Sequence, residues 1–403
     1  MTSPPVIYLD TQDYSRFGDV LRGKSDAATE ALFVALLSRQ QAGDAIFAVS
    51  MPVLGELLQY DAAFRDTTIK KAEAVERLCG GWALAYPSRL VAAEIADAMK
   101  RRGILPASQD TAVLSADRYW YPNVADAFDE FPAKMKAALE EELGGLQLSR
   151  KLRRGTAKHA RRLDFHKVAR EAAPEMAAEY GLPVEVISGS IVALLRGKIK
   201  SEEASRRLFS AIAEPVKFVE TYFEKVETDR SLPKWISGTG AGFHARFIQM
   251  RENLQPFIHL DSAKTQLKAM LPQAARAFAE ATLRLGLSDT GEFGLNSVVQ
   301  DAALSDPMLP SEIEACRVVS AILPAYLGQI LGLTGAEAKI ERSFGGDLIH
   351  ALYLPHVDLW RGDRRFSALL RDAAPGYADR IVTTLKDLPN AIDGWNAKSN
   401  GRG

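Results

Sequence analysis

Cysteine is nearly absent from this chain, which has only Cys79 and Cys316 among its 403 residues. The two stand far apart and outside any C-x-x-C spacing, which excludes a disulfide framework and a cysteine-rich zinc site and fits a reducing cytoplasm. A surplus of one charge is absent too. Lys and Arg number 50 against 51 Asp and Glu, a formal net charge of -1, so any affinity for nucleic acid must come from a local patch. Long uninterrupted apolar runs are also lacking. The most apolar long stretch, Cys316 to Ala336, is broken by Arg317, Pro324 and Gln329 and is expected to be buried helix rather than a membrane span. Met1-Thr2-Ser3-Pro4-Pro5 lacks the basic and long apolar regions of a secretory signal. No fixed-period repeat runs through the chain. The expectation is a soluble, cytoplasmic globular protein with no membrane association, and its 47% hydrophobic content is enough for a large core.

What is present divides the chain by character. Val6-Ile7-Tyr8-Leu9-Asp10 is a short β-rich run ending in an acid, and Ala45 to Ser50 is a second, fully apolar run of the kind covered on both faces. Between them Ala28, Ala31, Leu32, Ala35 and Leu36 recur at helical spacing, predicting one helix over Ala27 to Gln41 and a parallel strand–helix–strand unit. From about Pro52 to Glu341 the text turns to long Ala/Leu/Glu/Arg/Lys-rich stretches of helical period. Strand signals return at His356 to Trp360 and Arg380 to Leu385, flanking a helix over Arg365 to Asp372. The fold class expected is therefore α/β: a doubly wound parallel sheet formed by the two chain ends, residues 1–60 and 340–403, with a mainly α-helical insertion over 61–339.

The acids are placed where such a fold does chemistry. Asp10 closes the first strand, at the edge where open parallel sheets bind ligands. Glu56 follows the second strand on a helix that Pro52 suits at its first turn. Asp347 lies at a helix opening in Gly345-Gly346-Asp347-Leu348-Ile349-His350, and Asp363 in the loop after the next strand. Four acids gathered on one rim repel one another unless a cation offsets them, and a carboxylate-bound divalent ion is the agent that phosphodiester hydrolysis needs.

Tyr8-Leu9-Asp10-Thr11, then Glu56 in Val53-Leu54-Gly55-Glu56-Leu57-Leu58, then Asp347-x-x-His350-Ala351-x-Tyr353-Leu354-Pro355-His356-Val357-Asp358, then Gly362-Asp363-Arg364-Arg365-Phe366 is similar, in motif order, to the PIN-domain nucleases. The resemblance implies a parallel sheet sandwiched by helices, acids that hold Mg²⁺ or Mn²⁺, and RNA as substrate. Carried over by residue, it implicates Asp10, Glu56, Asp347 and Asp363, with Asp358 as a further metal-binding acid; Thr11 and His350, beside Asp10 and Asp347 in the chain, are candidate auxiliaries. Gln12 stands where that family often has Asn, and Gly362 where Thr often precedes the last Asp. The helical insertion lies outside the resemblance and is expected to carry substrate choice and any protein or homo-oligomer contact.

Each of these residues also has an ordinary structural explanation. Asp10 and Asp347 are of the type that caps helices, Glu56 could sit on a solvated face, and Asp358 could be a hydrogen-bonded core acid. His350 shares a helix face with Asp347, where it could reach a phosphate, hold a metal-bound water or simply pack; His356 reads as structural. The acid-free stretch from Arg150 to Arg162, with Arg150, Lys151, Arg153, Arg154, Lys158, Arg161 and Arg162, could neutralise phosphates or form a solvated face. Gly238-x-Gly240-x-Gly242 has the wrong spacing for a dinucleotide fingerprint and reads as a loop. Three functions stay open: a metal-dependent endoribonuclease, a non-catalytic RNA- or protein-binding module on a degenerate PIN-like core, and a phosphatase acting on a small substrate.

Overall fold

A computed structural model of the chain describes residues 3–58, 62–107, 111–125, 127–129, 165–226, 234–237, 241–289, 293–333, 338–341 and 343–400. In chain order the elements that matter for the site are β1 (Val6–Leu9), α1 (Thr11–Leu21), α2 (Ala27–Ala42), β2 (Ile46–Phe47), α3 (Met51–Leu57), α4 (Arg65–Cys79), β3 (Ala83–Leu84), α5 (Pro87–Arg101), β4 (Leu114–Ser115), α6 (Asp261–Leu287), α7 (Glu314–Gly332), α8 (Phe344–Ala351), β5 (Leu359–Arg361) and α9 (Arg364–Ala373).

The sheet is small, parallel and built from both ends of the sequence. β1 lies between β2 and β5, pairing Val6 with Ile46 and Tyr8 with Trp360. Parallel bridges extend it on both sides, Val49 to Ala83 and Trp360 to Ile381, while β3 also pairs antiparallel with β4. The connections leaving β1 and β5 thus lead to opposite sides of the sheet. Their carboxyl ends flank the point where strand order reverses, which is where doubly wound sheets open a crevice.

Local chemistry sets the ends of these elements. Asp10 caps α1 by accepting from Thr11 N, Asp26 caps α2 by accepting from Thr29 N, and Gly43 ends α2 in the left-handed conformation. Pro52 lies in the first turn of α3, where its missing N–H costs nothing. Because Tyr8 and Trp360 are in register, their rings stack on one face of the sheet at 6.1 Å, and Tyr353 stacks on the other side of Tyr8 at 5.3 Å. Such pairs add about 0.5–1.5 kcal/mol each beyond their burial. All three rings are fully buried.

Several expectations are corrected here. Two helices, not one, join the first two strands. The missed one, α1, buries Asp13, Tyr14, Phe17 and Gly18, a face too polar in composition to read as an apolar stripe. The run Arg380 to Leu385 does not form a strand: 3-10 turns over Pro375–Arg380 and Leu385–Asp387 leave only Ile381 bridged to the sheet. The Gly238 to Gly240 part of the glycine run lies outside the described residues.

The chain divides into two compact units, and the division differs from the partition into 1–60, 61–339 and 340–403. One unit comprises Met1–Tyr121, Ala213–Ser231 and Trp235–Gly403; the other comprises Pro122–Ile212 and Leu232–Lys234. The sheet unit keeps most of the helical sequence because those helices pack on it and on each other: α4 against α1, α6 against α5, and α7 against α6. Among the described residues α7 alone is long and apolar enough to cross a membrane, and 56% of its apolar window is buried inside the protein. The smaller unit includes helices Phe165–Tyr180, Val184–Leu195 and Ser201–Ser210. The basic stretch from Arg150 to Arg162 lies outside the described residues.

Candidate metal centre

Four acids far apart in sequence meet in one cleft. Asp10 from the end of β1, Glu56 from α3, Asp347 from the first turn of α8 and Asp363 from the turn before α9 line a cavity of about 730 Å³, together with Thr11 and Arg365. The tightest grouping is Asp10, Glu56 and His350, whose ligand atoms all lie within 4.8 Å of one another. These acids sit at the carboxyl edge of the sheet, on the β1/β5 side where the strand order reverses.

Each side chain is held by its surroundings. Asp10 Oδ1 accepts from Thr11 N at 2.7 Å. Both oxygens of Glu56 are engaged: Thr11 Oγ1 donates to Oε2 at 2.6 Å, and His350 Nε2 lies 3.0 Å from Oε1. Gly346 leaves room for that carboxylate, since a Cβ there would come within 3.3 Å of Glu56 Oε1. The His350 ring is fixed from behind, with Nδ1 2.5 Å from Tyr8 Oη, and Ser50 Oγ in turn 3.2 Å from that hydroxyl. Asp363 doubles as the cap of α9, accepting from Arg365 N at 2.8 Å and Phe366 N at 3.1 Å.

The electrostatics are those of a crowded anionic pocket. Burial pushes the Asp347 carboxyl up to about 7, and the charges of Asp10, Glu56 and Asp363 push the same way against the pull of His350. Asp10 is likewise raised, chiefly by burial, with Glu56 adding to it and His350 opposing. Burial also acts to raise Glu56, but the imidazole and the Thr11 hydroxyl outweigh it and hold the carboxyl below its ordinary value. For His350 burial disfavours the charged ring, yet Glu56, Asp10 and Asp347 prevail and raise it to about 9. In the absence of another cation, the imidazolium is the centre's own partial counter-charge.

Behind the cleft lies a buried ion pair that the sequence did not announce. Arg361, at the end of β5, places Nη2 3.2 Å from Asp13 Oδ1 on α1, and both side chains are almost fully buried. Burial raises Asp13 to about 7 against the pull of Arg361. The pair also acts on the site, since the Arg361 charge helps to keep Asp10 ionised. Gly362, immediately after, is required by packing: a Cβ there would lie 2.2 Å from the Trp360 indole. That explains glycine at a position where the PIN pattern often carries Thr.

Of the residues predicted from sequence, Asp10, Thr11, Glu56, Asp347 and Asp363 line the one cleft, and His350 is grouped with Asp10 and Glu56. Asp358 does not join them. It precedes β5 and its Oδ2 accepts from Val6 N at 2.9 Å, at the amino end of β1, so it is a half-buried acid tying two strands together at the opposite edge. Asp347 lies in the first turn of α8 without capping it. His356 pairs with Glu94 of α5 at 2.6 Å, a structural tie. The polar tip of Tyr8 and the charge of Arg361, each set in an apolar strand, were the signals for the buried partners that sequence reasoning missed.

Compared with known proteins, the chain matches no family model, no curated protein and no solved structure.

Proposed function

We propose that this chain is a metal-dependent endoribonuclease of PIN-like architecture, hydrolysing RNA phosphodiester bonds at the cleft of Asp10, Glu56, Asp347 and Asp363. The observation that carries the reading is the convergence of these four acids, from both ends of the chain, at the switch point of a parallel sheet. Burial and neighbouring carboxylates raise Asp10 and Asp347, which costs stability, and a hard cation that takes oxygen ligands removes that cost. The donor set fits Mg²⁺ or Mn²⁺: carboxylates throughout, with one imidazole beside them.

A bound divalent ion would supply a water of lowered pKa and offset charge on the phosphate. The chain's own groups prepare the site for this. Thr11 and His350 hold Glu56 in one orientation, Asp10 is fixed by its backbone neighbour, and Asp363 is fixed by the helix it caps. Arg365, on the rim and largely exposed while paired with Glu341 at 2.9 Å, offers a guanidinium to a substrate phosphate. The two buried, free thiols suit action in the cytoplasm.

The test is a panel of labelled single-stranded RNA, structured RNA and DNA, incubated with the full chain in Mn²⁺, Mg²⁺ or EDTA beside Asp10→Asn. Metal-dependent cleavage of RNA that is lost in the variant is expected. Binding of RNA without cleavage in any metal would replace this reading with a non-catalytic one.

A further inference from the structure

We propose that His350 is itself a metal ligand, giving the centre a mixed nitrogen and oxygen donor set that takes a first-row transition cation such as Mn²⁺ in preference to Mg²⁺. The inference rests on the reading of the cleft as a cation site and specifies what that site selects.

The His350 side chain is 6% exposed, and its two ring nitrogens face different surroundings. Nδ1 is taken up by Tyr8 Oη at 2.5 Å, behind which stands Ser50. Nε2 points into the acid cluster, 3.0 Å from Glu56 Oε1, with which it pairs when the ring is protonated. In the neutral ring that nitrogen faces the carboxylates with no hydrogen-bond partner among the described residues, which is costly for a buried polar atom. A cation bound between them would relieve that cost. Adjacent ligands on one ion, each at about 2.0–2.2 Å, are about 3 Å apart, which is the observed spacing of Nε2 and Oε1. The third donor, Asp10, lies within the same 4.8 Å grouping.

The support behind the ring is also of the kind a ligand needs. Metal-bound histidines give their other ring N–H to a neighbouring acceptor, which fixes ring orientation and tautomer. Tyr8 Oη lies 2.5 Å from Nδ1, placed to accept its N–H, and also accepts from Ser50 Oγ at 3.2 Å. With Nδ1 as the donor, the lone pair of Nε2 faces the carboxylates. Selectivity then follows from ligand chemistry. Mg²⁺ is hard, gives up water reluctantly and favours oxygen, whereas first-row transition cations accept imidazole nitrogen, Mn²⁺ binding least tightly among them.

The experiment is pulsed electron paramagnetic resonance on Mn²⁺ bound to the full chain, with calorimetric titration of Mn²⁺ and Mg²⁺ alongside. Nitrogen coupling at the Mn²⁺ is expected, changing to the nitrogen-15 pattern when the protein is grown with nitrogen-15 histidine. That labelling needs no substitution and so does not depend on any variant folding. In His350→Gln the coupling should vanish and the Mn²⁺-over-Mg²⁺ preference should fall by about tenfold or more, the loss typical of a removed supporting or direct ligand. Mn²⁺ bound without nitrogen coupling, but lost in Asp10→Asn, would overturn the inference and leave the cation site standing. No Mn²⁺ bound at all would overturn both.

Discussion

Asp347 shows how the cost of this centre is distributed. Its folded pKa, up to about 7, lies above the ordinary carboxylate value, so folding favours its protonated form. The stability that this group contributes is therefore present below about pH 4 and is lost as pH rises through 7. Asp347→Asn removes the charge and keeps the shape. In EDTA the variant should be more stable than the parent by about 1–3 kcal/mol at pH 8, with the gain shrinking towards pH 4; denaturant unfolding across that range measures it, and a gain independent of pH would contradict the assignment. The buried pair makes a second prediction at this scale. Arg361→Met leaves Asp13 buried without its cation and should cost about 3 kcal/mol at pH 8, less at pH 5, where Asp13 protonates. Adding Asp13→Asn should recover most of the loss in thermal unfolding.

At the scale of elements, the sequence was most readable where local chemistry and tertiary role coincide. Asp10, Glu56, Asp347 and Asp363 each sit next to a strand end or in a helix turn marked by proline, glycine or a capping residue, and the cleft collects all four. The resemblance singled out Asp358 as well, but it stands at the amino end of β5, where its carboxylate meets Val6 N at the far edge of the sheet. Helix α1 was hidden because its buried face is built partly from Asp13 and Gly18, and Asp13 is held inside chiefly by Arg361 from the other end of the chain, with Arg16 farther off at 4.0 Å. No local period can report such a pairing. Asp363 separates the two jobs one residue can hold. Asp363→Asn should keep the cap on α9, since Asn caps as well as Asp, while removing the charge. It should cleave RNA far more slowly with little change in melting temperature. Asp363→Ala should lose the cap too, costing about 1 kcal/mol more. Full activity in the Asn variant would remove Asp363 from the centre.

For the molecule as a whole, the near-neutral balance of charge fixes where function can reside. With 50 basic side chains against 51 acidic, attraction for a polyanion must come from a local concentration of charge, and an anionic cleft repels phosphate until a cation is bound. The α/β class and the joining of both chain ends in one sheet were legible from strand signals at residues 6–10, 45–50 and 356–360. The extent of the sheet-bearing unit was not, because the periodicity of α5, α6 and α7 marks them as helices without saying what they pack against. The proposed centre would tie the ends of the chain to metal and metal to substrate, so one measurement reaches the central claim: the rate of RNA cleavage by the full chain in Mn²⁺ and in EDTA, beside Asp347→Asn. Cleavage that needs the metal and falls at least about a hundredfold in the variant, the scale of a lost catalytic electrostatic contact, is the predicted result. Equal cleavage in EDTA, or an undiminished rate in Asp347→Asn, would contradict the account.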